Sequence, residues 1–434
     1  MRFGWLVLAV VAAPAAAQRV DAPAIVVGGG PVPVRVTGLP PGAEATLLAE
    51  RVIGRGGRGD RYRSETAFRA DRRGVIDLAR VAPIRGGYRG VDAAGPFWSM
   101  RPDPQAAAGV EPDTARLTVL IEGKPVATGV TRFERGDARV VTEEIAAFPG
   151  ATLFRPPGGD RRPVVIVLGG SEGGDGYGRA FGPLLATRGY AALSLPYHSP
   201  DWGGPRIAGL PVDFADIPVD RLASVRDWIA GRAELDAARI GLVGVSKGGE
   251  FAMIAASRFP WLKAVAGIVP SDVVWEGWGP SVSADDTRAS FAWAGKPLAF
   301  VPYRGMREAI AALYRGERRT LRTPHEAGRA ANPGRVAAAT IPIERYRGAL
   351  LVAGGEADGT WPSADMVRSI AAQRARAGLR TEALTFHGAG HALSGSGWEP
   401  TDYGLPGEEP AATAHAQAVI RRALFGMLDR ALRP

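Results

Sequence analysis

The chain has 434 residues, 46% of them hydrophobic and 22% charged, and its formal net charge at pH 7 is +9. One hydrophobic core rarely serves more than about 300 residues, so two domains are expected. The arginines are scattered rather than gathered into a basic stripe, which argues against nucleic-acid binding. The chain contains no cysteine, which excludes disulfides, thiolate nucleophiles and thiolate metal sites.

Residues 1–17 have the pattern of a secretory signal peptide. Arg2 supplies a positive charge, an apolar run extends from Phe3 to Ala13, and Ala15 and Ala17 form an A-x-A cleavage site. The apolar run is too short to cross a bilayer, which takes about 20 residues, so no stable membrane anchor is expected. We therefore expect an exported protein, either periplasmic or secreted.

Residues 18–138 are predicted to form an all-β, immunoglobulin-like sandwich domain. Short β-like runs such as ARLTVLIEG and PVATGVTRF are separated by glycine, proline and aspartate turns. No segment in this part of the chain has a sustained apolar period of 3.6 residues, which argues against helices.

Residues 139–434 are predicted to form an α/β-hydrolase domain. Strand-like and helix-like segments alternate here, as where the strand RIGLVGVS is followed directly by the helix KGGEFAMIAASRF. Such alternation is typical of a mostly parallel sheet covered on both faces. The alternation is interrupted at about residues 274–340, where a lid, a binding loop or a flexible insertion is expected.

Two segments match G-x-S-x-G, the signature of a serine nucleophile on a strand-to-helix elbow, and they are centred on Ser171 and Ser246. The elbow requires a strand that ends at the serine and a helix that begins at once. Ser246 lies between such a strand and such a helix, whereas Ser171 is followed by EGGDG, which is too rich in glycine to begin a helix. Ser246 is therefore the predicted nucleophile.

The glycine-rich loop around Ser171 is expected to contribute to the oxyanion hole. In this architecture one backbone donor belongs to the residue after the nucleophile, and the second lies in the loop after an earlier strand. We expect Lys247 to provide the first N–H, and Gly170 or Ser171 to provide the second. The alternative for Ser171 is a plain loop serine.

A serine nucleophile needs a histidine to take its proton and an acid to orient that histidine, in the chain order Ser, acid, His. His391, deep in the glycine-rich loop after the last strand, is the predicted base, and His387 at the strand end is expected to be structural or to support the catalytic residues from behind. Asp358 is preferred to Glu356 as the acid because it lies further into its loop. Asp358 could instead cap the next helix, although Ser363 fits that role better. The remaining histidines lie before the nucleophile, in the insertion and in the last helix: His198, His325 and His415.

The segment GVSKGGE at the predicted nucleophile resembles the elbow of the acyl-CoA thioesterase and bile acid-CoA:amino acid N-acyltransferase family. GLPPGAEATLLAE and YRSETAFRADRRGVIDLARV resemble the β-sandwich domain that precedes the hydrolase in that family, and LLATRGYAALSLPY and the GAGH loop resemble its later elements. The resemblance extends from about Gly38 to the end of the chain. It carries the family's triad onto Ser246, Asp358 and His391.

The resemblance implies hydrolysis of an acyl thioester or ester through an acyl-enzyme, with a small-molecule substrate and no metal or cofactor. Acyltransferases of the family use a cysteine nucleophile and thioesterases use serine, so Ser246 favours hydrolysis. Two alternatives stay open: an acyltransferase that passes the acyl group to an amine, and a non-catalytic binding protein on a hydrolase scaffold.

Overall fold

A computed structural model describes residues 17–55, 58–106, 109–201, 205–283, 285–317, 320–402 and 407–433. The predicted signal peptide lies outside these residues except for its last position. Within the described ranges, no helix is both long enough and apolar enough to cross a membrane.

The N-terminal part of the chain forms two β-sheets. Its strands are β1 (Arg19–Asp21), β2 (Ile25–Val27), β3 (Arg35–Thr37), β4 (Glu44–Arg55), β5 (Arg58–Arg69), β6 (Ile76–Asp77), β7 (Arg101–Pro102), β8 (Thr114–Ile121) and β9 (Lys124–Glu134). The smaller sheet has the order β1-β3-β6 and the larger has the order β2-β9-β8-β4-β5-β7. One short helix, α1 (Gly95–Trp98), lies between β6 and β7.

One hydrophobic core joins the two sheets. Leu117 and Val119 of β8 point into it from the larger sheet, and Val36 of β3 and Ile76 of β6 enter it from the smaller sheet. Alternate positions along β8 are buried because successive side chains of a strand point to opposite faces. The predicted sandwich class is confirmed.

The C-terminal part of the chain alternates strands and helices. The strands are β10 (Val141–Ile145), β11 (Ala151–Arg155), β12 (Arg162–Leu168), β13 (Ala191–Ser194), β14 (Ile217–Pro218), β15 (Leu235–Val245), β16 (Leu262–Ile268), β17 (Phe291–Trp293), β18 (Lys296–Pro297), β19 (Ala349–Gly355) and β20 (Glu382–Phe386). The helices are α2 (Gly176–Thr187), α3 (Leu222–Ala230), α4 (Lys247–Arg258), α5 (Met306–Tyr314), α6 (Arg322–Ala331), α7 (Pro333–Ala339), α8 (Ser363–Arg376) and α9 (Pro410–Leu432).

An eight-stranded sheet with the order β10-β11-β13-β12-β15-β16-β19-β20 forms the centre of this part. Its first two pairings are antiparallel, and every pairing from β13 to β20 is parallel. Helices α3, α4 and α8 pack on one face, and α2 and α9 pack on the other. The predicted α/β-hydrolase class is confirmed.

The two faces of this sheet explain why its central strands are apolar at nearly every position. Ile166 and Leu242 enter the core on one face, whereas Val167 and Val243 enter the core on the other. A strand buried on both faces needs a continuous apolar run rather than an alternating one.

The stretch that interrupts the alternation contains regular structure. It holds α5, α6 and α7, and strands β17 and β18, which form a small sheet with β14. Isolated bridges pair Val273 with Thr340 and Trp275 with Val301. The first bridge joins the two ends of the stretch to each other, and the second joins its beginning to its middle.

The chain between β20 and α9 crosses to the N-terminal sandwich. Arg51 of β4 is buried, and its guanidinium Nη1 donates to the Trp398 carbonyl at 2.9 Å. The guanidinium carbon lies 3.7 Å from the centre of the Phe133 ring, also in the sandwich. The Thr401 N–H donates to the Trp98 carbonyl at 3.2 Å. The sandwich therefore holds the segment that follows the predicted catalytic histidine.

Candidate active site

The predicted site residues all follow the carboxyl ends of strands in the parallel part of the main sheet. Ser246 comes directly after β15, and the glycine-rich loop around Ser171 follows β12. Asp358 lies in the loop after β19, and His391 lies in the loop after β20. Parallel strands end at the same edge of a sheet, so these four segments meet there.

Ser246 occupies a strained backbone conformation, with φ 54° and ψ −120°. A positive φ is uncommon for a residue with a side chain, and in this fold it marks the sharp turn that exposes a nucleophile. A Cβ on Gly244 would lie 2.0 Å from the Gly248 carbonyl oxygen, and a Cβ on Gly248 would lie 2.2 Å from the Gly169 carbonyl oxygen. The turn is therefore too tight for a side chain at either position.

Ser246, His391 and Asp358 form a continuous series of hydrogen bonds. The Ser246 Oγ lies 3.0 Å from His391 Nε2, and His391 Nδ1 lies 2.8 Å from Asp358 Oδ2. Because a carboxylate can only accept, Nδ1 carries the proton and Nε2 is free to accept the serine proton. The imidazole is 21% exposed, so a substrate can reach it, whereas Asp358 is buried.

The backbone around Asp358 fixes its carboxylate. Oδ1 accepts the N–H groups of Thr360 at 2.8 Å and Trp361 at 3.2 Å, which leaves Oδ2 for His391. The prediction that Ser363 caps the next helix is wrong. Ser363 is the first residue of α8, its hydroxyl accepts the Gly355 N–H at 3.1 Å, and the helix has no side-chain cap.

Glu408 is a carboxylate beside His391 that sequence reasoning missed. Its Oε1 accepts the backbone N–H of His391 at 3.4 Å, and burial raises the pKa of its carboxyl. A Cβ on Gly390 would lie 2.0 Å from the Glu408 Cδ, so a side chain at this position would have to displace the carboxylate. Glu408 lies in a polar loop without a recognisable motif, so its sequence did not predict this contact.

The electrostatic surroundings of His391 favour its protonated form. Burial lowers the pKa of His391, but the charge and hydrogen bond of Asp358, with the charges of Glu408 and Glu172, raise the pKa above its ordinary value. These carboxylates therefore stabilise a protonated His391.

This raised pKa predicts the acidic side of the pH dependence. His391 accepts a proton only when neutral, so kcat/KM should fall as the pH drops through its pKa. The midpoint should lie above the ordinary histidine value of about 6.5. Ester hydrolysis between about pH 5 and pH 9 measures this midpoint. Glu408→Gln should lower the midpoint because it removes a charge that raises the pKa; a midpoint below that of free histidine in the unchanged protein contradicts the prediction.

The other histidines lie away from the Ser246 hydroxyl. The His387 side chain is 90% exposed, and its Nδ1 lies 3.1 Å from Glu356 Oε2. His387 is therefore a surface residue. His198 is buried, with Nε2 2.8 Å from the Val212 carbonyl, and His415 is exposed. His325 packs against Trp275 and Tyr303, and burial lowers its pKa to about 3.

The predicted oxyanion donors lie at the site, and one of them already has a partner. Lys247 is the first residue of α4, a position whose N–H has no acceptor within the helix. The Gly170 N–H donates to Glu172 Oε1 at 2.8 Å. Ser171, which lies between Gly170 and Glu172 in the sequence, is half-buried. An acyl oxygen that used the Gly170 N–H would have to replace this carboxylate.

The side chain of Lys247 belongs to a buried ion pair that sequence reasoning missed. Its ammonium lies 2.5 Å from Glu250 Oε2 and 2.8 Å from Ser290 Oγ, and Glu250 Oε1 accepts the Trp275 N–H at 3.0 Å. Burial lowers the pKa of Lys247 and raises the pKa of Glu250. The pair joins the first turn of α4 to the 274–340 stretch.

Removing one partner of this pair should destabilise the fold. Lys247→Met leaves the Glu250 carboxylate buried without its cation, which should lower the free energy of unfolding by about 3 to 5 kcal/mol. Urea unfolding followed by tryptophan fluorescence measures the change. The double variant Lys247→Met/Glu250→Gln should regain part of the loss because it removes the unpaired charge. A single variant as stable as the unchanged protein would show that the pair contributes nothing.

No group of three or more potential metal-binding side chains is found among the described residues. The groups that the structure brings together at this edge of the sheet are the Ser246 hydroxyl, the His391 imidazole, the nearby carboxylates and backbone N–H groups.

Two family models match the chain, one on each structural unit. The model described as "Acyl-CoA thioester hydrolase/BAAT N-terminal region" matches residues 30–132. The model described as "BAAT / Acyl-CoA thioester hydrolase C terminal" matches residues 224–395, a range that contains Ser246, Asp358 and His391.

Individual relatives were also found. Acyl-coenzyme A thioesterase 1 of Rattus norvegicus is 30% identical over 259 residues, which are 55% of this chain and 56% of that protein. The match thus spans little more than half the length of that relative. Peroxisomal succinyl-coenzyme A thioesterase of Mus musculus is 27% identical over 390 residues, 83% of this chain and 82% of that protein. The solved structure of esterase Est22 with p-nitrophenol is 18% identical, covers 67% of this chain and 81% of its own, and has a TM-score of 0.36.

The family models occur in the same order as the sandwich and the hydrolase sheet, as the resemblance implied. The chain belongs to the family of acyl-CoA thioester hydrolases and bile acid-CoA:amino acid N-acyltransferases.

Proposed function

We propose that this protein is a serine hydrolase that cleaves acyl thioesters or esters. The observation that carries the proposal is the series of hydrogen bonds from Ser246 through His391 to Asp358, with Ser246 at a strained positive φ. The relatives reported above are named as thioesterases of acyl-coenzyme A and succinyl-coenzyme A, which supports an acyl thioester as substrate.

In the first half of the reaction, Ser246 is acylated. Its Oγ attacks the acyl carbonyl carbon while His391 Nε2 takes the hydroxyl proton, and Asp358 holds the imidazole in the required tautomer. The negative charge on the carbonyl oxygen is stabilised by the Lys247 N–H and by an N–H of the Gly170 and Ser171 loop. The bond to the leaving group then breaks, and the leaving group takes the proton from His391.

In the second half, water releases the acyl group. His391 takes a proton from the water as its oxygen attacks the acyl carbon, and the bond to Ser246 Oγ breaks. The proton passes from His391 to the serine oxygen, which restores the enzyme. The products are a carboxylic acid and the leaving-group thiol or alcohol.

The proposed location widens the proposed substrate class. A protein exported by its first 17 residues would be separated from the acyl-CoA of the cytoplasm. We therefore include carboxylic esters beside thioesters as substrates. The serine nucleophile favours water over an amine as acceptor, since the family's acyltransferases use cysteine.

A substrate panel tests the proposal. p-Nitrophenyl esters and acyl-CoAs of graded chain length are incubated with the mature protein, and release of p-nitrophenol or thiol is followed. Hydrolysis of at least one class by the unchanged protein is expected, with Ser246→Ala as the blank. Activity on esters alone would overturn the thioesterase assignment. Amide formation in the presence of an amine would favour acyl transfer. If Ser246→Ala releases product as fast as the unchanged protein, a non-catalytic binding protein would be favoured.

A further inference from the structure

The loop between β12 and α2 packs closely against the segment after β13, beside Ser246. Gly173 and Gly174 each have φ 67°, a conformation that favours glycine. A Cβ on Gly173 would lie 2.5 Å from Pro200 Cδ, and the Gly174 N–H donates to the His198 carbonyl at 2.8 Å. These contacts fix the loop against the segment after β13 and thereby fix the residue before Gly173, which is Glu172.

The carboxylate of Glu172 turns back toward Ser246. Its Oε1 accepts the Gly170 N–H at 2.8 Å. A Cβ placed on Gly170 would lie 2.6 Å from Glu172 Oε2 and 3.1 Å from Ser246 Cβ. The Glu172 carboxylate and the Ser246 side chain thus approach the same point beside the Gly170 Cα.

The charge of Glu172 is open to a ligand. The residue is exposed, and among the described residues no cationic side chain forms an ion pair with it. Its charge is also felt at the reacting groups, since Glu172 is one of the carboxylates that raise the pKa of His391. A substrate entering the site therefore meets a negative charge next to the position of its carbonyl.

We propose that Glu172 is a specificity-determining residue that selects acyl groups without negative charge. An acyl oxygen that binds the Gly170 N–H must displace the carboxylate, which stays close by on the fixed loop. A short acyl group that ends in its own carboxylate is then repelled, whereas a neutral acyl group of equal length is not. This inference rests on the proposed hydrolase function and concerns the same site.

The test compares two p-nitrophenyl esters of equal acyl length, the butyrate and the hemisuccinate. The unchanged protein should prefer the butyrate in kcat/KM. Glu172→Gln keeps the shape of the side chain and a hydrogen-bond acceptor but removes the charge. It should reduce that preference by roughly tenfold, which is the expected effect of repulsion between two negative charges a few ångströms apart in a partly solvated site. Glu172→Ala should reduce it to a similar extent.

Asp175→Asn is the matched control. Asp175 lies on the same loop, but its carboxylate pairs with Arg179 of α2, so the preference should stay as in the unchanged protein. An unchanged preference in both Glu172 variants overturns the proposal. Equal losses on both esters in Glu172→Gln also overturn it, because they indicate a role in catalysis or folding instead. The two failures can be told apart. If the unchanged protein cleaves neither ester nor any acyl-CoA, the proposed hydrolase function is wrong, whereas cleavage with an unchanged preference shows that only the role of Glu172 is wrong.

Discussion

Ser246→Ala should lower kcat on any cleaved ester or thioester on the order of 10⁵-fold, because no other group at the site can form the acyl-enzyme. The substitution removes one oxygen atom, which His391 Nε2 contacts at 3.0 Å. The fold and the binding of substrate should persist. Steady-state kinetics on the best substrate of the panel, with circular dichroism as a check of folding, measure the effect.

Ser171→Ala is the matched control, since Ser171 is the centre of the other G-x-S-x-G segment. Its expected part in the site is played by the backbone N–H, which alanine keeps, so the loss should stay below about tenfold. If Ser171→Ala abolished activity while Ser246→Ala retained it, the two serines would have been assigned the wrong way round.

Asp358→Asn should lower kcat by roughly 10³- to 10⁴-fold with little change in KM. The carboxylate accepts a hydrogen bond from the Nδ1–H of His391 at 2.8 Å, whereas an amide can present its NH₂ group to Nδ1 instead. His391 would then carry its proton on Nε2 and could not accept the proton of Ser246. The loss of the negative charge should also lower the pKa of His391, since Asp358 is the main group that raises it.

Glu356→Gln provides the comparison for this prediction, because Glu356 is the other acid of the same loop. Its carboxylate contacts His387 and Arg368 on the surface rather than His391. Its replacement should leave kcat within about twofold of the unchanged value, as surface ion pairs contribute little. A large loss in Glu356→Gln with a small loss in Asp358→Asn would show that the acid had been misassigned.

Local sequence patterns were sufficient for the fold, and they predicted the three side chains that the structure joins by hydrogen bonds. The apolar run RIGLVGV predicted a strand buried on both faces, and β15 is such a strand. The immediate onset of α4 separated Ser246 from Ser171, and loop positions separated Asp358 from Glu356. Each of these distinctions depends on neighbours in the sequence, which a single chain displays directly.

The features that sequence reasoning missed depend on contacts between distant segments. Glu408 reaches the His391 N–H across 17 positions, and Lys247 bonds Ser290 across 43. Glu172 is close to Gly170 in sequence, but its approach to Ser246 follows from the fixed path of the loop. No periodicity or motif records such contacts, because they arise only when the elements pack.

The hydrogen bond from Arg51 to Trp398 limits where this chain can be divided. A hydrolase unit cut free at residue 138 would retain Ser246, Asp358 and His391, yet the chain that leaves His391 would lose its anchor in β4. Its apolar contacts with the sandwich, such as Trp398 against Phe97, would face water. The two units are therefore not interchangeable modules. A chimera that replaces one of them must preserve the contacts of Arg51 and Phe97 with Trp398.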